Sequence, residues 1–569
     1  VPVNETNERR QSAIPLDGTH RLVVLLLIII PTVLLVLGVY NGLLQALYRA
    51  GYITAARFLG IEYYQGLTLH GVINALVYTT FFEVAFGYVV FAYYLKCSFA
   101  AGATWLAFAL MLVGTLLAAA AMLAGKASVL YTFYPPLRAH PAFYVGAAML
   151  VVGSWIPFFQ WTYAYLGWRK VHSGRRTPLA VVGMMATFTI WFICTLPLAW
   201  EVIVMLIPWS FGWVAGIDVV LARTLFWFFG HPLVYFWLLP AYVMYYVSLP
   251  ALAGGKLYSD AAARLTFLLF IVLSAPVGLH HQFADPGIDR SYKWMHGFLT
   301  FLVALPSFLT AFTVTASLEH GARSRGGSGL FSWWAKLPYL DAERYLFAYF
   351  ICGLVLFFFG GITGIVNASV GMNEVVHNTA WVPAHFHTTV AGPVFLAFLG
   401  MSLFLVTQLT GKPLRLPRLN LLVPYLWTAG IFVFSTALSV AGLLGQPRRT
   451  NLGATYANPE SPLFRPDWQI WSTLGAVGGV LMFAATVFFF VVFFASLLSA
   501  KVRAPSLALP TAEAHHDGEV SVLRNFTPWV VAAVLLLVLA YVPPIYSVMR
   551  ERVRGAPAYD PGSPVQMRF

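Results

Sequence analysis

What this chain has least of is charge. Only 10% of its 569 residues are Asp, Glu, Lys or Arg, against roughly 25% in a soluble globular protein. That deficit excludes a soluble enzyme and, with hydrophobic residues at 59%, a disordered chain. Cysteine is scarce as well. Cys97, Cys194 and Cys352 stand far apart with no Cys-x-x-Cys pairing, which excludes a disulfide framework and a thiolate metal cluster. No internal repeat of about 20–50 residues is present, so a solenoid is excluded too. Acidic residues are in the minority, 21 against 34 Lys and Arg, for a net charge of +13. In a soluble protein that excess would point to nucleic acid. Here the bases sit in loops between apolar runs, so they read as orientation signals and lipid-headgroup contacts, and no nucleic-acid partner is expected.

What is present is apolar sequence in long runs. About 20 such residues cross a bilayer. Thirteen runs qualify, near 22–47, 66–95, 99–124, 141–167, 179–207, 218–249, 262–281, 292–318, 341–365, 376–408, 422–446, 471–499 and 527–549. The expectation is an all-α, polytopic membrane protein in one transmembrane domain spanning 1–569, with core helices over about 22–549 and polar tails at 1–21 and 550–569. The first run is too long for a signal h-region and lacks a small-residue cleavage site, so it is expected to be retained as a span. Thirteen spans put the termini on opposite sides. Lys and Arg are denser in the loops that lie inside if the N-terminus is inside, which sets the N-terminus in and the C-terminus out.

Ionisable groups inside a bilayer are costly and mark function. Of 14 histidines, setting aside His296 and His377 near outer span ends, His70, His231, His280, His281, His385 and His387 fall within the expected spans. Alternating the spans places all six in the outer half of the membrane, which favours metal ligation over separate interhelical hydrogen bonds. His385 and His387 are two residues apart, about 200° of helical rotation. They face opposite ways and cannot share one ion, but they can serve two planar haems flanking the helix. His70 then completes a six-coordinate bis-histidine haem, and the other haem keeps an open position. His231, His280 and His281 remain as three neutral imidazoles, a copper site by preference, with zinc or non-haem iron less favoured. Tyr235 lies four residues after His231 on the same helical face. Spacing alone reads it equally as an interfacial tyrosine or as a phenol serving the metal.

These residues carry a resemblance. Gly230-His231-Pro232-Leu233-Val234-Tyr235, His280 through Gly287 and His377 through His387 resemble subunit I of the haem-copper oxygen reductases, B-type (ba3-type) cytochrome c oxidases in particular. The resemblance implies that His70 and His387 are axial ligands of a low-spin haem, expected to be b-type. It implies that His385 is the proximal ligand of a high-spin haem, expected to be a-type. His231, His280 and His281 would bind one copper ion, with Tyr235 cross-linked to His231 and acting catalytically. His377, Arg448 and Arg449 would meet the haem propionates, where guanidinium and carboxylate pair well. The implied reaction is reduction of O2 to water coupled to proton translocation, in a bacterial cytoplasmic membrane. Electrons would come from cytochrome c through a subunit II with a binuclear copper centre, which this chain lacks the paired cysteines to hold. A nitric oxide reductase of the same superfamily is the alternative, and Tyr235 counts against it.

The pattern also has departures. Leu233 stands where A-type oxidases carry a glutamate, Ala384 replaces a glycine, Asn373 stands in place of an aspartate, and Glu83 is an unexpected intramembrane acid. Tyr242 and Tyr246 continue inward from Tyr235, while Ser307, Thr310 and Thr313 recur every three residues two spans later. Spacing alone favours ordinary interhelical hydrogen bonding for these hydroxyls. The resemblance implies a K-type proton path.

Overall fold

A computed structural model of the chain describes residues 16–53, 61–516, 520–550 and 556–557, so the expected polar tails fall largely outside it. Among the described residues, twelve helices are long and apolar enough to cross a bilayer: α1 Gly18–Arg49, α2 Tyr63–Leu95, α3 Ala101–Leu123, α4 Pro141–Val171, α5 Leu179–Ser210, α6 Val219–Leu252, α8 Arg290–Ser324, α9 Ala342–Ala368, α10 Trp381–Thr410, α11 Pro417–Leu443, α12 Pro466–Leu497 and α13 Thr527–Arg550. Helix α7, Asp260–Leu273, lies between the sixth and eighth. Their limits follow local signals. Asp17 and Asp218 cap α1 and α6, each accepting a backbone N–H at 2.9 Å. Pro141 and Pro466 open α4 and α12. Gly411, left-handed at φ 72°, closes α10.

The seventh apolar run divides. Its helix stops at Leu273, and the chain resumes as a 3₁₀ turn, Gly278–Gln282. Pro276 explains the break, because it offers no N–H and disfavours helical backbone at Ala275. The adjacent pair His280-His281 therefore rides on a turn rather than on a continuous helix.

Burial ranks the helices. The apolar stretches of α2, α6 and α10 are 89%, 72% and 78% buried, against 28–61% for the other nine long helices. Those three carry His70, His231, His385 and His387, so the interior of the bundle is where the imidazoles are. Neighbouring pairs close on small residues. A Cβ on Gly114 of α3 would lie 2.5 Å from the Gly146 carbonyl of α4, and one on Gly478 of α12 would lie 2.5 Å from the Phe434 nitrogen of α11. Such contacts let backbones approach where lipid gives no hydrophobic drive between helices. Two π-helical turns interrupt the inner helices, Val72–Val77 in α2 and His387–Ala391 in α10. One begins two residues after His70 and the other begins at His387, in keeping with the association of π-turns with functional sites.

Candidate metal centres

His70 and His387 meet across α2 and α10. Their ring centres are 6.1 Å apart and their planes differ by 12°. The His70 Nδ1 lies 2.9 Å from the Gly38 carbonyl, and the His387 Nδ1 lies 2.7 Å from the Pro383 carbonyl. A carbonyl only accepts, so each Nδ1 carries the proton and each Nε2 is the nitrogen left for a metal. Gly42 allows the arrangement, since a Cβ there would sit 2.6 Å from the His70 ring. Both rings line a cavity of about 270 Å³ that is otherwise mostly apolar and ends at Arg448 and Arg449.

That end of the cavity is cationic without a counterion. Arg448 donates to the Asn378 side chain at 3.2 Å and Arg449 to the Thr132 hydroxyl at 3.4 Å. Neither pairs with a carboxylate among the described residues, and the Arg448 Nε is buried without a partner. Burial and the adjacent Arg449 push the Arg448 guanidinium down to about 9. His377 is pushed down to about 4 by burial and by Arg448, and its Nδ1 donates to the Asn373 side-chain oxygen at 3.0 Å. Asn373 thus orients His377, a job that needs an acceptor and no charge. A mostly apolar cavity lined by two nearly parallel imidazoles and by two guanidiniums without a carboxylate partner among the described residues fits a haem with its propionates.

His385 leaves α10 on the side away from His387, as the two-residue spacing predicts. Its Nδ1 lies 2.9 Å from the Thr363 hydroxyl of α9, which itself donates to the Gly360 carbonyl at 2.8 Å. The hydroxyl therefore accepts from Nδ1, and Nε2 is again free. Gly364 faces this ring, with space for a Cβ only 3.2 Å from it.

The three remaining imidazoles converge. One ligand atom from each of His231, His280 and His281 lies within 4.8 Å of the others, and the His231 Nδ1 is 3.1 Å from the His281 Nε2. The His281 ring stacks on Trp227 at 3.7 Å and 7°. The His280 Nδ1 donates to Thr300, whose hydroxyl donates in turn to the His296 carbonyl. Two buried imidazoles and a half-buried one, with no carboxylate among them, suit copper. The His231 Nε2 is buried without a partner, and the Tyr235 ring is centred 5.0 Å from the His231 ring.

The hydroxyl series also comes together in part. Tyr242 donates to Ser307 at 3.4 Å, and Tyr246 donates to Thr310 at 2.7 Å. Thr266 of α7 lies 3.2 Å from the same phenol. Sequence reasoning missed Thr266 because only α6 and α8 carry a visible hydroxyl stripe. Thr313 has no partner in this series and its hydroxyl is buried. The rings of Tyr235 and Tyr242 do not meet directly; both pack on Phe270. Glu83 is fully buried with both carboxyl oxygens unpartnered. It joins none of these clusters.

Residues 22–481 match the family described as Cytochrome C and Quinol oxidase polypeptide I. The chain is 44% identical over 491 residues to cytochrome c oxidase subunit 1 of Thermus thermophilus, covering 85% of this chain and 86% of that one. It is 26% identical over 271 residues to ubiquinol oxidase subunit 1 of Acetobacter aceti, covering 47% and 36%. A haem-copper terminal oxidase solved as a dimer by cryo-electron microscopy superposes with a TM-score of 0.94 at 50% identity, over 97% of both chains.

Proposed function

This chain belongs to the cytochrome c and quinol oxidase polypeptide I family, and from that membership we propose the role of each residue in its metal centres. The protein is the catalytic subunit of a terminal oxidase that reduces O2 to water, and haem and copper are its cofactors. Our assignment is two haems and one copper. His70 and His387 hold a low-spin b-type haem, His385 holds a high-spin a-type haem, and His231, His280 and His281 hold the copper. The observation that carries the copper assignment is the convergence of three imidazoles, two buried and one half-buried, within 4.8 Å, beside a phenol four residues after one of them.

When bound, the haems and copper store electrons and supply the open coordination positions at which O2 is held and reduced. The chain supplies the rest. Thr363 and Thr300 fix the tautomers of His385 and His280, so that both present Nε2. Arg448, Arg449 and His377 bind the propionates and hold their charge in a buried setting. Tyr235 holds a proton at its phenolic oxygen, with its ring centred 5.0 Å from the His231 ring, and we assign the cross-link to the buried, unpartnered Nε2 of His231. Tyr246 with Thr310 and Thr266, and Tyr242 with Ser307, form hydroxyl steps able to accept and donate a proton in turn, and we assign them, with Thr313, to proton delivery from the inner side. Electrons arrive from cytochrome c through a subunit II carrying a binuclear copper centre. The membrane is the bacterial cytoplasmic membrane, with the N-terminus inside.

A pyridine haemochrome spectrum combined with iron and copper quantitation on the purified complex tests this. After the copper of subunit II is subtracted, two haems and one copper per chain are expected. Non-haem iron in place of that copper would overturn the assignment.

A further inference from the structure

Helix α13 is the least buried of the long helices, at 28% of its apolar stretch, and it lies beyond residues 22–481 matched by the family. Yet it reaches the copper-ligand turn. Tyr541 of α13 is 1% exposed. Its hydroxyl accepts the Gly278 N–H at 2.9 Å and donates to the Ala275 carbonyl at 3.2 Å. They lie at the break after α7, where the Gly278 N–H has no helix-ladder partner and the Ala275 carbonyl also accepts the Val277 N–H at 2.9 Å. The Tyr541 ring stacks face to face on Phe228 of α6, with centres 3.8 Å apart and planes at 7°.

A second arm runs in parallel. The Ala540 carbonyl accepts from the His296 Nε2–H at 3.0 Å, and the His296 Nδ1 accepts the Leu279 N–H at 3.4 Å. One tautomer satisfies both bonds. The turn cannot retreat, because a Cβ on Gly278 would lie 2.0 Å from the Trp227 carbonyl of α6. Ala275, Gly278 and Leu279 are therefore pinned just ahead of His280 and His281, between α6 on one side and α13 with α8 on the other.

We propose that Tyr541 and His296 are positioning residues for the copper site: through them α13 clamps the turn that presents His280 and His281 to His231. The proposal rests on the assignment of those three histidines to copper. Without the Tyr541 hydroxyl, the buried Gly278 N–H is left unpaired and the Ala275 carbonyl keeps only the Val277 N–H. The turn then samples positions in which the three imidazoles no longer converge. Removing a group that orients a metal ligand costs about 10- to 100-fold in metal affinity.

The test uses the intact purified oxidase. Copper per haem is followed during dialysis against a copper(I) chelator under reducing conditions, for the parent and for Tyr541→Phe, His296→Gln, Leu539→Ala and His281→Ala. Leu539 sits on α13 but is 66% exposed and serves as the control for damage to the helix itself. Tyr541→Phe keeps the ring stacked on Phe228, so assembly is retained. It is expected to lose copper about 10- to 100-fold faster than the parent, with haem content unchanged, and His296→Gln is expected to move in the same direction. The C–O stretching band of carbon monoxide photolysed onto the copper is expected to shift or broaden in both variants and to stay unchanged in Leu539→Ala. Copper retention in Tyr541→Phe equal to that in Leu539→Ala would overturn the clamp while leaving the ligand assignment intact. Full copper in His281→Ala would overturn the ligand assignment, and the clamp with it.

Discussion

Four of the six membrane imidazoles share one device: Nδ1 is bonded to an oxygen and Nε2 is left over. The oxygens are the Gly38 and Pro383 carbonyls and the Thr363 and Thr300 hydroxyls. His70→Ala should abolish the low-spin haem signal in the visible spectrum, because His387 alone leaves that iron one ligand short. A full low-spin spectrum in this variant would break the pairing. His231 departs from the device, since its Nδ1 faces His281 and its Nε2 is buried beside Tyr235. Tyr235→Phe removes one hydroxyl and changes little volume, so haem incorporation should survive. O2 consumption should fall by about 10²–10⁴-fold, the usual loss when a proton-transfer group is deleted. Near-normal turnover would remove the phenol from the chemistry. The grouping of these histidines was legible in the sequence, because intramembrane histidines are rare and a two-residue spacing forces opposite faces. Their partners were not. A backbone carbonyl leaves no mark in the sequence, and Thr363, Thr300 and Thr266 are met only through packing between helices far apart in the chain.

Apolar length made the helices legible, yet two features of the elements escaped it. One is the break in the seventh run, where hydropathy continues past Pro276 although the helix does not. The other is the pair of π-turns adjoining His70 and His387, for which the sequence carries no composition signal. Helix crossings can be tested directly. Gly478 of α12 faces the Phe434 backbone of α11, and the Phe434 ring is centred 4.6 Å from the His387 ring. Gly478→Leu should therefore force α11 and α12 apart and disturb the low-spin site together. Overpacking of this kind costs about 1–3 kcal/mol, read as a lower Tm of the assembled oxidase and a shifted low-spin haem band. Gly102→Leu, at a position with nothing within 4 Å of the added Cβ, should change neither.

At the scale of the whole molecule, the loops sort into two sets that pack only among themselves in the contacts that define the two faces. On one face the 257–259 strand pairs with 514–516, Gly411 accepts from Val502 and Arg503, and the Tyr94 hydroxyl meets Thr511. On the other, Arg448 meets Asn378, Arg449 meets Thr132 and Tyr48 meets Asn451. This sorting fits strict alternation of thirteen crossings, the seventh made by α7 and its 3₁₀ extension. It leaves open which face is inside; the proposed N-terminus-in orientation puts the first set, with its denser Lys and Arg, on the cytoplasmic side. Cysteine labelling settles the matter with little background. Cys194 and Cys352 are buried, and burial pushes the half-buried Cys97 thiol up to about 11. Its reactive thiolate is therefore scarce near neutral pH. Ser173→Cys, in the loop after α4, should react with a membrane-impermeant maleimide only in inside-out vesicles. Ser461→Cys, in the loop after α11, should react only in right-side-out vesicles. The opposite pattern would invert the topology, and with it the side from which the proposed path through Tyr242, Tyr246 and Thr310 would draw protons.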